Sequence, residues 1–225
     1  MHLEAHAGLG WLIGCLVPGS DRRLRAWCVG AAVLPDVDAV TYLWGEQAYA
    51  TWHHTFGHNL FLGVLVALAA GLQGARGRDA RRGALLGACA AACFASHLLT
   101  DMRLSAYPVH LFWPTGWGDA RGQEFTPNWG LGHPLNTALV YASALVAALL
   151  APWRGVTPLE LLSPRLDRIV LAAFRARPLR CAACERATNL PCDACQAPVC
   201  LRHGRVDLRF RIACPACVPA RAAAE

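Results

Sequence analysis

The sequence predicts an all-α protein: a multi-helix integral membrane bundle followed by a small cysteine-rich C-terminal domain. Three observations carry that prediction. First, 55% of the 225 residues are hydrophobic and only 16% are charged, with a mean hydropathy of +0.31. Soluble domains average roughly 45–50% apolar and about 25% charged. Second, the apolar residues gather into five Ala- and Leu-rich segments without strand-like alternation, which reads as helix. Third, seven of the eleven cysteines crowd into residues 181–217.

The first apolar segment runs from about Ala7 to Val17 and stops at Pro18-Gly19. The second runs from about Ala26 to Leu34 and ends at Pro35, which should release Asp36 and Asp38 into a loop. The third spans Leu60 to Leu72, the fourth Gly83 to Leu99 and the fifth Pro134 to Trp153. Only the fourth and fifth approach the ~20 residues that cross a bilayer, so the first three should be half-inserted or packed within the bundle. A soluble helical bundle with a very apolar core is the alternative. Nothing resembles a cleavable signal peptide, because His2, Glu4 and His6 stand where a basic n-region is expected.

Every basic residue is Arg, which reflects genome composition before function. Residues 1–153 balance nine Arg against nine acids, so the net +6 resides in residues 154–225. Arg22, Arg23 and Arg25 lie between segments one and two, and Arg76, Arg78, Arg81 and Arg82 between three and four. Arg154 follows segment five. If the segments alternate in direction, these arginines share one side, and the positive-inside rule makes it cytoplasmic. His6, Asp36, Asp38, His53, His58, His97 and Asp101 then share the opposite side. Trp113, Trp117 and Trp129 in the connection from Tyr107 to His133 read as an interfacial aromatic belt.

These His and Asp residues suggest a metal site. His97 and Asp101 are four apart on a predicted helix and project from one face, and an Asp at the end of an apolar helix is costly unless paired or metal-bound. Alone, such a pair more often signals a His–Asp hydrogen bond. PDVD alone reads as a turn or cap. His54 and His58 share a face if a helix starts early, and His53 could reach in from the preceding turn, so spacing leaves both His53 and His54 open as ligands. Together the set supplies up to seven ligands, enough for one or two divalent ions, zinc or manganese, which can activate water and stabilise the leaving oxygen of a phosphoester. No Ser nucleophile motif, P-loop or dinucleotide fingerprint competes. His110 and His133 lie near the same side. His54 and His133 are the candidates for moving protons.

Four pieces of sequence carry a resemblance. They are His6 with Gly10, LPDVD at 34–38, HHTFGHN at 53–59, and HLLTD at 97–101 followed by YPVHLFWP at 107–114. Together they resemble the YdjM-type family of membrane-bound metal-dependent hydrolases, whose pattern reads roughly TH, LPDID, HRGxTHS and HLxxD followed by YGVxLLWP. The likeness covers residues 1 to about 153. It implies a helical inner-membrane protein with a metal centre, and it carries over His6, Asp36, Asp38, His53, His58, His97 and Asp101 as ligands. This chain departs from the pattern at His54 (for Arg), at Gly57 and Asn59 (for Thr and Ser) and at Pro108 (for Gly), which leaves the substrate class open. The order of Asp, His and a His–Asp pair is also similar, more thinly, to zinc-dependent phospholipase C.

Residues 154–180 read as an Arg-rich amphipathic linker, with Leu161, Leu162, Leu166, Ile169, Val170 and Phe174 at helical spacing and Arg165, Arg168, Arg175 and Arg177 interleaved. It could touch a membrane surface or be an ordinary surface helix. Four pairs of metal-type ligands follow, each with two residues between its members: Cys181 with Cys184, Cys192 with Cys195, Cys200 with His203, and Cys214 with Cys217. Eight such ligands predict two structural zinc ions, making residues 181–217 a zinc-binding domain. Interleaved and sequential pairings are both open. The spacing resembles cross-brace fingers of the B-box or FYVE kind. Thiolate zinc sites require reducing conditions, which places the tail in the cytosol. Arg202, Arg205, Arg209 and Arg211 offer a basic edge without a recognition code, which favours a protein or lipid partner over nucleic acid. The remaining Cys15, Cys28, Cys89 and Cys93 read as small core residues.

The function expected is a bacterial inner-membrane hydrolase acting on a phosphoester or lipid-like substrate. The alternative is a non-catalytic anchor that presents the zinc tail to a partner.

Overall fold

The computed structural model describes residues 1–76, 79–105, 107–115, 132–173, 179–188, 190–207 and 211–218. It divides into two compact units, Met1–Val146 and Ala147–Glu225.

The first unit is helical. Helix α1 spans Leu3–Leu16 and α2 spans Arg22–Val33. The chain then continues as a 3-10 helix over Leu34–Trp44. Helices α3 (Glu46–Trp52), α4 (Leu60–Ala75), α5 (Ala80–Leu104) and α6 (Pro134–Arg154) follow. Short polar side chains start them: Asp21, Asn59 and Asp79 accept backbone N–H groups of Leu24, Leu62 and Arg82 at 2.8, 2.8 and 3.0 Å. Each satisfies a donor that the first helical turn leaves unpaired.

Among the described residues, three stretches are long and apolar enough to cross a membrane: Arg22–Trp44, Ala80–Arg103 and Pro134–Arg154. The first of these is longer than the sequence suggested. Pro35 does not end the second segment, because it stands in the first turn of the 3-10 helix, where its missing N–H has no intrahelical partner. Asp36 and Asp38 therefore sit on a helical turn and not in a loop. The helices α1 and α4 remain the shorter apolar pieces.

The core of this unit joins Cys28, Ala31 and Ala32 of α2, Val66 and Ala70 of α4, and Ala90, Cys93, Phe94 and Leu98 of α5. Cys28, Cys89 and Cys93 are buried in this core as small apolar residues. Its outer surface stays apolar: Phe61, Leu68, Leu72 and Leu145 are all more than half exposed. Such a surface suits lipid and not water. The turns before α2 and α5 lie at one end, where Arg82 pairs with Asp21 and Arg23, Arg81 and Arg82 line one cavity. Arg78, Trp117 and Trp129 fall outside the described residues.

Small residues allow α4 and α5 to pack closely. A Cβ on Gly83 would lie 2.8 Å from the Gly71 carbonyl oxygen and 2.9 Å from Ala75 Cβ. Gly83 and Gly87 form a GxxxG step, the spacing that lets helices approach within a bilayer.

The second unit contains a 3-10 helix (Pro158–Leu161), α7 (Pro164–Ala173) and two antiparallel hairpins. Strand β1 (Leu179–Arg180) pairs with β2 (Ala187–Thr188), and β3 (Arg205–Val206) with β4 (Ile212–Ala213). Ala172, Leu190, Cys192, Val199 and Ile212 share a core, with Ile169 packed against it. The apolar positions Ile169 and Ala172 of the expected linker thus cover the cysteine-rich module, and Arg168 pairs with Asp193 at 2.7 Å. Phe174, Arg175, Arg177 and Arg209 lie outside the described residues.

Replacing Gly83 by Leu should cost about 1–3 kcal/mol through overpacking, read as a drop of several degrees in the thermal midpoint in detergent. Gly30→Ala is the control, because nothing stands within 4 Å of a Cβ there. Equal midpoints for the two variants would show that the α4–α5 contact does not limit stability.

Candidate metal centre

Four elements meet at the end of the first unit opposite Arg23, Arg81 and Arg82. The 3-10 helix supplies Asp36 and Asp38, and the last turns of α5 supply His97 and Asp101. Helix α1 supplies His6. The loop from His53 to Asn59 supplies three histidines. It is not helical, so His54 and His58 do not meet through helical spacing: α3 ends at Trp52 and α4 begins at Leu60.

Local geometry shapes that loop. His54 adopts a φ of +69°, a left-handed conformation that costs a non-glycine residue energy and recurs at functional sites. Its Nδ1 lies 3.1 Å from the Tyr107 carbonyl oxygen, and its own carbonyl accepts the His110 N–H at 3.1 Å. Asn59 donates to the Thr55 and Phe56 carbonyls at 3.2 and 2.7 Å. Gly57 passes so close to the 3-10 helix that a Cβ there would stand 1.9 Å from the Pro35 carbonyl oxygen. Only glycine fits, which explains one departure from the expected motif.

The histidines are oriented by what their Nδ1 atoms bind. His97 Nδ1–H donates to the Ala32 carbonyl oxygen at 2.6 Å. His58 Nδ1–H donates to Asp38 Oδ2 at 2.9 Å. Both Nε2 atoms therefore aim at one point, 2.9 Å apart. Asp101 Oδ2 lies 3.2 Å from the His97 Nε2 and 3.3 Å from that of His58. Asp36 Oδ1 lies 3.7 and 3.6 Å from the same two nitrogens. These four ligand atoms lie within 4.8 Å of one another. A tetrahedral ion with bonds of about 2.0–2.1 Å has ligands about 3.3 Å apart, so the set has the dimensions of a metal site.

Lone pair facing lone pair is repulsive, so a positive charge must hold His58 and His97 together: a proton or a metal ion. Burial opposes charge on His58, but the carboxylates of Asp101 and Asp38 outweigh it and push its pKa up to about 9. The field that holds this proton would equally hold a cation. His6 offers a second sign. It is 1% exposed and stacks on His97 with centroids 3.6 Å apart. Its Nε2 faces Asp101 Oδ1 at 3.2 Å, but among the described residues neither ring nitrogen makes a regular hydrogen bond. A buried imidazole whose hydrogen bonds are unmade is unfavourable and fits a metal ligand. Asp101 Oδ1 also receives the amino terminus of Met1.

A family model described as YdjM inner membrane protein matches residues 1–172. The chain belongs to the YdjM inner membrane protein family. No curated protein and no solved structure matches it. Family membership and the three candidate spans set the YdjM unit in the inner membrane.

The expected site residues of this YdjM chain take different places. Asp38 stands outside the group of four. Its carboxylate accepts from His53 Nδ1–H at 2.8 Å, His58 Nδ1–H at 2.9 Å and the Gly57 N–H at 3.2 Å. His53 faces Asp38 and stacks on Tyr49 at 4.4 Å. His54 comes closer to the centre, with Nε2 3.3 Å from Asp101 Oδ2. Burial lowers its pKa to about 4, so it is neutral at cellular pH. His133 precedes α6, and its Nδ1 accepts the Leu135 N–H at 3.3 Å. Sequence reasoning missed Tyr49. It stands edge-on to Tyr107 at 5.6 Å, and burial and the nearby carboxylates raise its pKa to about 12. The Ala32 carbonyl was missed as well, since a backbone group leaves no signal in sequence.

The tail beyond the YdjM match contains two further groups that could hold metal: Cys181, Cys184, Cys200 and His203, and Cys192, Cys195, Cys214 and Cys217. The pairing is interleaved, first pair with third and second with fourth. Cys184 and Cys200 sulfurs are 3.6 Å apart, as are those of Cys195 and Cys214. Zinc–sulfur bonds of about 2.3 Å set ligand separations near 3.8 Å. Backbone pairing brings the knuckles together, through Ala182 N–H to the Pro198 carbonyl at 2.9 Å and Asp193 N–H to the Ile212 carbonyl at 2.8 Å.

Two outcomes test the centre. Asp38→Asn should weaken metal binding about 10–100-fold, because the carboxylate orients ligands without being one, while stoichiometry at saturating metal stays unchanged. Metal binding should also release a proton at pH 7, with affinity falling as the pH drops, because the proton on His58 must leave first. Titration calorimetry in two buffers of different ionisation enthalpy reads both. Binding with no proton release would rule out displacement from His58.

Proposed function

We propose that this YdjM chain is a membrane-bound metal-dependent hydrolase that cleaves a phosphoester, in a lipid or a similar substrate. One observation carries the reading: His58 and His97 face each other with both Nδ1 protons already committed, between two carboxylates. Asp36, His58, His97 and Asp101 are the ligands of a divalent ion, zinc or manganese, and His6 extends the set beside Asp101. Such an ion would supply Lewis acidity and lower the pKa of water. Asp38 fixes the tautomer and aim of His58, and His53 braces Asp38. His54 carries the proton. Its Nδ1 faces the Tyr107 carbonyl and its Nε2 faces Asp101 Oδ2 at 3.3 Å, beside the four ligands. His133 is the second candidate for moving protons, with its Nδ1 accepting the Leu135 N–H at the start of α6.

The Arg-rich end lies in the cytosol by the positive-inside rule, and the metal centre therefore faces the other side. Residues 1–153 form the hydrolase domain, 154–180 the connection and 181–217 the double zinc finger. The tail holds two structural zinc ions, because all four positions of each set are protein ligands. It lies in the cytosol, where thiols stay reduced, and docks a protein partner.

Elemental analysis of detergent-purified protein tests this, comparing the full chain with the full chain carrying Cys181→Ser and Cys192→Ser. The double variant should lose about two zinc ions and keep one or more metals. His97→Ala should then remove the remaining metal and lower metal-dependent phosphodiester cleavage by at least about a hundredfold. If the folded double variant binds no metal when resupplied with zinc or manganese, the hydrolase reading fails. The chain is then an anchor that displays its tail.

A further inference from the structure

The Arg-rich end of the first unit has two cavities that the metal centre does not use. One, of about 330 Å³, lies between the turn before α2 and the start of α5 and is lined by apolar side chains, Leu24, Leu85 and Leu86 among them, together with charged ones. Arg23, Arg81 and Arg82 line it, against Asp21 and Asp79. Both carboxylates are engaged: Asp21 accepts the Leu24 N–H and pairs with Arg82, and Asp79 accepts the Arg82 N–H. Arg23 and Arg81 are exposed. The N-termini of α2 and α5 also open here, adding partial positive charge.

The second cavity is a groove of about 570 Å³ between α2 and α4. Arg23 lines this one too, so the cavities adjoin. Away from Arg23 the groove is apolar. Its polar groups, the Trp27 indole bonded to the Gln73 amide, belong to the Arg-rich end. From Gln73 to Leu65 it follows about 12 Å of α4, close to the ~15 Å depth of one leaflet's hydrocarbon. Leu34 and Leu65 stay exposed on its rim, and the wall belongs to the candidate span Arg22–Trp44.

We propose that the two cavities together bind one anionic membrane phospholipid. Its phosphate sits against Arg23 and Arg81, and one acyl chain lies along the groove. The polarity matches end to end, a cationic head pocket continuing into an apolar trough one leaflet deep. The site lies about 30 Å along α5 from Asp101, so this lipid is a resident ligand and not a substrate at the metal centre.

Native mass spectrometry of the full chain tests this, after delipidation and addition of phosphatidylglycerol or phosphatidylcholine. About one phosphatidylglycerol per chain should persist, favoured about tenfold over phosphatidylcholine, whose choline ammonium would bring a like charge against Arg23 and Arg81. Arg23→Gln should erase the preference. Ala69→Trp, which fills the groove, should release the lipid while the metal content and thermal midpoint hold. Equal retention of both lipids by the unaltered chain would overturn the proposal without recourse to any variant. So would phosphatidylglycerol retention unchanged in both variants. If Ala69→Trp instead converts a dimer to a monomer with lipid retention unchanged, the groove seats a second copy and the proposal falls.

Discussion

A carboxylate sealed inside an apolar bundle must be compensated, and Asp101 is fully buried near the end of α5. Leaving such a charge unpaired would cost far more than the few kcal/mol by which a domain is stable. The first unit meets this demand by bringing four histidines from three elements within about one ligand distance of that side chain. Each of those histidines is buried in turn, so each needs a partner of its own. His97 finds the Ala32 carbonyl, His58 finds Asp38, and His54 finds the Tyr107 carbonyl. The requirement spreads outward from one carboxylate until it has fixed the loop, the 3-10 helix and the last turns of α5.

This chain of partners depends on close helix packing. His97 reaches a backbone carbonyl of α2 only because alanines at 31, 32 and 90 line the contact between α2 and α5. The preference for Ala and Gly over larger apolar residues lets backbones approach, as bilayer packing favours, and it also sets the distances at the metal centre. Gly57 extends the same logic, placing the histidine loop against the Pro35 carbonyl. A side chain at Gly57 would have to push the histidine loop away from the 3-10 helix.

The second unit solves its stability problem differently. It is too small to rely on apolar burial, and its core is a handful of side chains around buried cysteines. Two interleaved sets of side chains that could hold metal draw on both hairpins, and Ile169 and Ala172 of α7 pack on the core. Interleaving means that neither set closes a purely local loop, so the knuckles fold together or not at all.

The helical class, the apolar segments and the four knuckles were legible in the sequence, as were the side chains Asp36, His58, His97 and Asp101 that the fold brings together. Composition, periodicity and two-residue spacing report on what each segment needs locally, and burial of apolar surface and filling of ligand shells are local needs. The passage of α2 through Pro35 into a span long enough to cross the membrane was not legible, because a proline at a helix start and one at a helix end look alike. Nor was the division of labour among the histidines and aspartates. His53 and His54 are adjacent and chemically identical, and Asp36 and Asp38 differ by two positions. Only the fold determines that His54 faces Asp101 while His53 faces Asp38, and that Asp36 points at the facing imidazoles while Asp38 stands behind one of them. The interleaved pairing of the cysteines belongs to the same category. Sequence specifies which atoms can bind, but which atoms meet depends on the directions in which separate elements carry them, and those directions are set by packing across the whole unit.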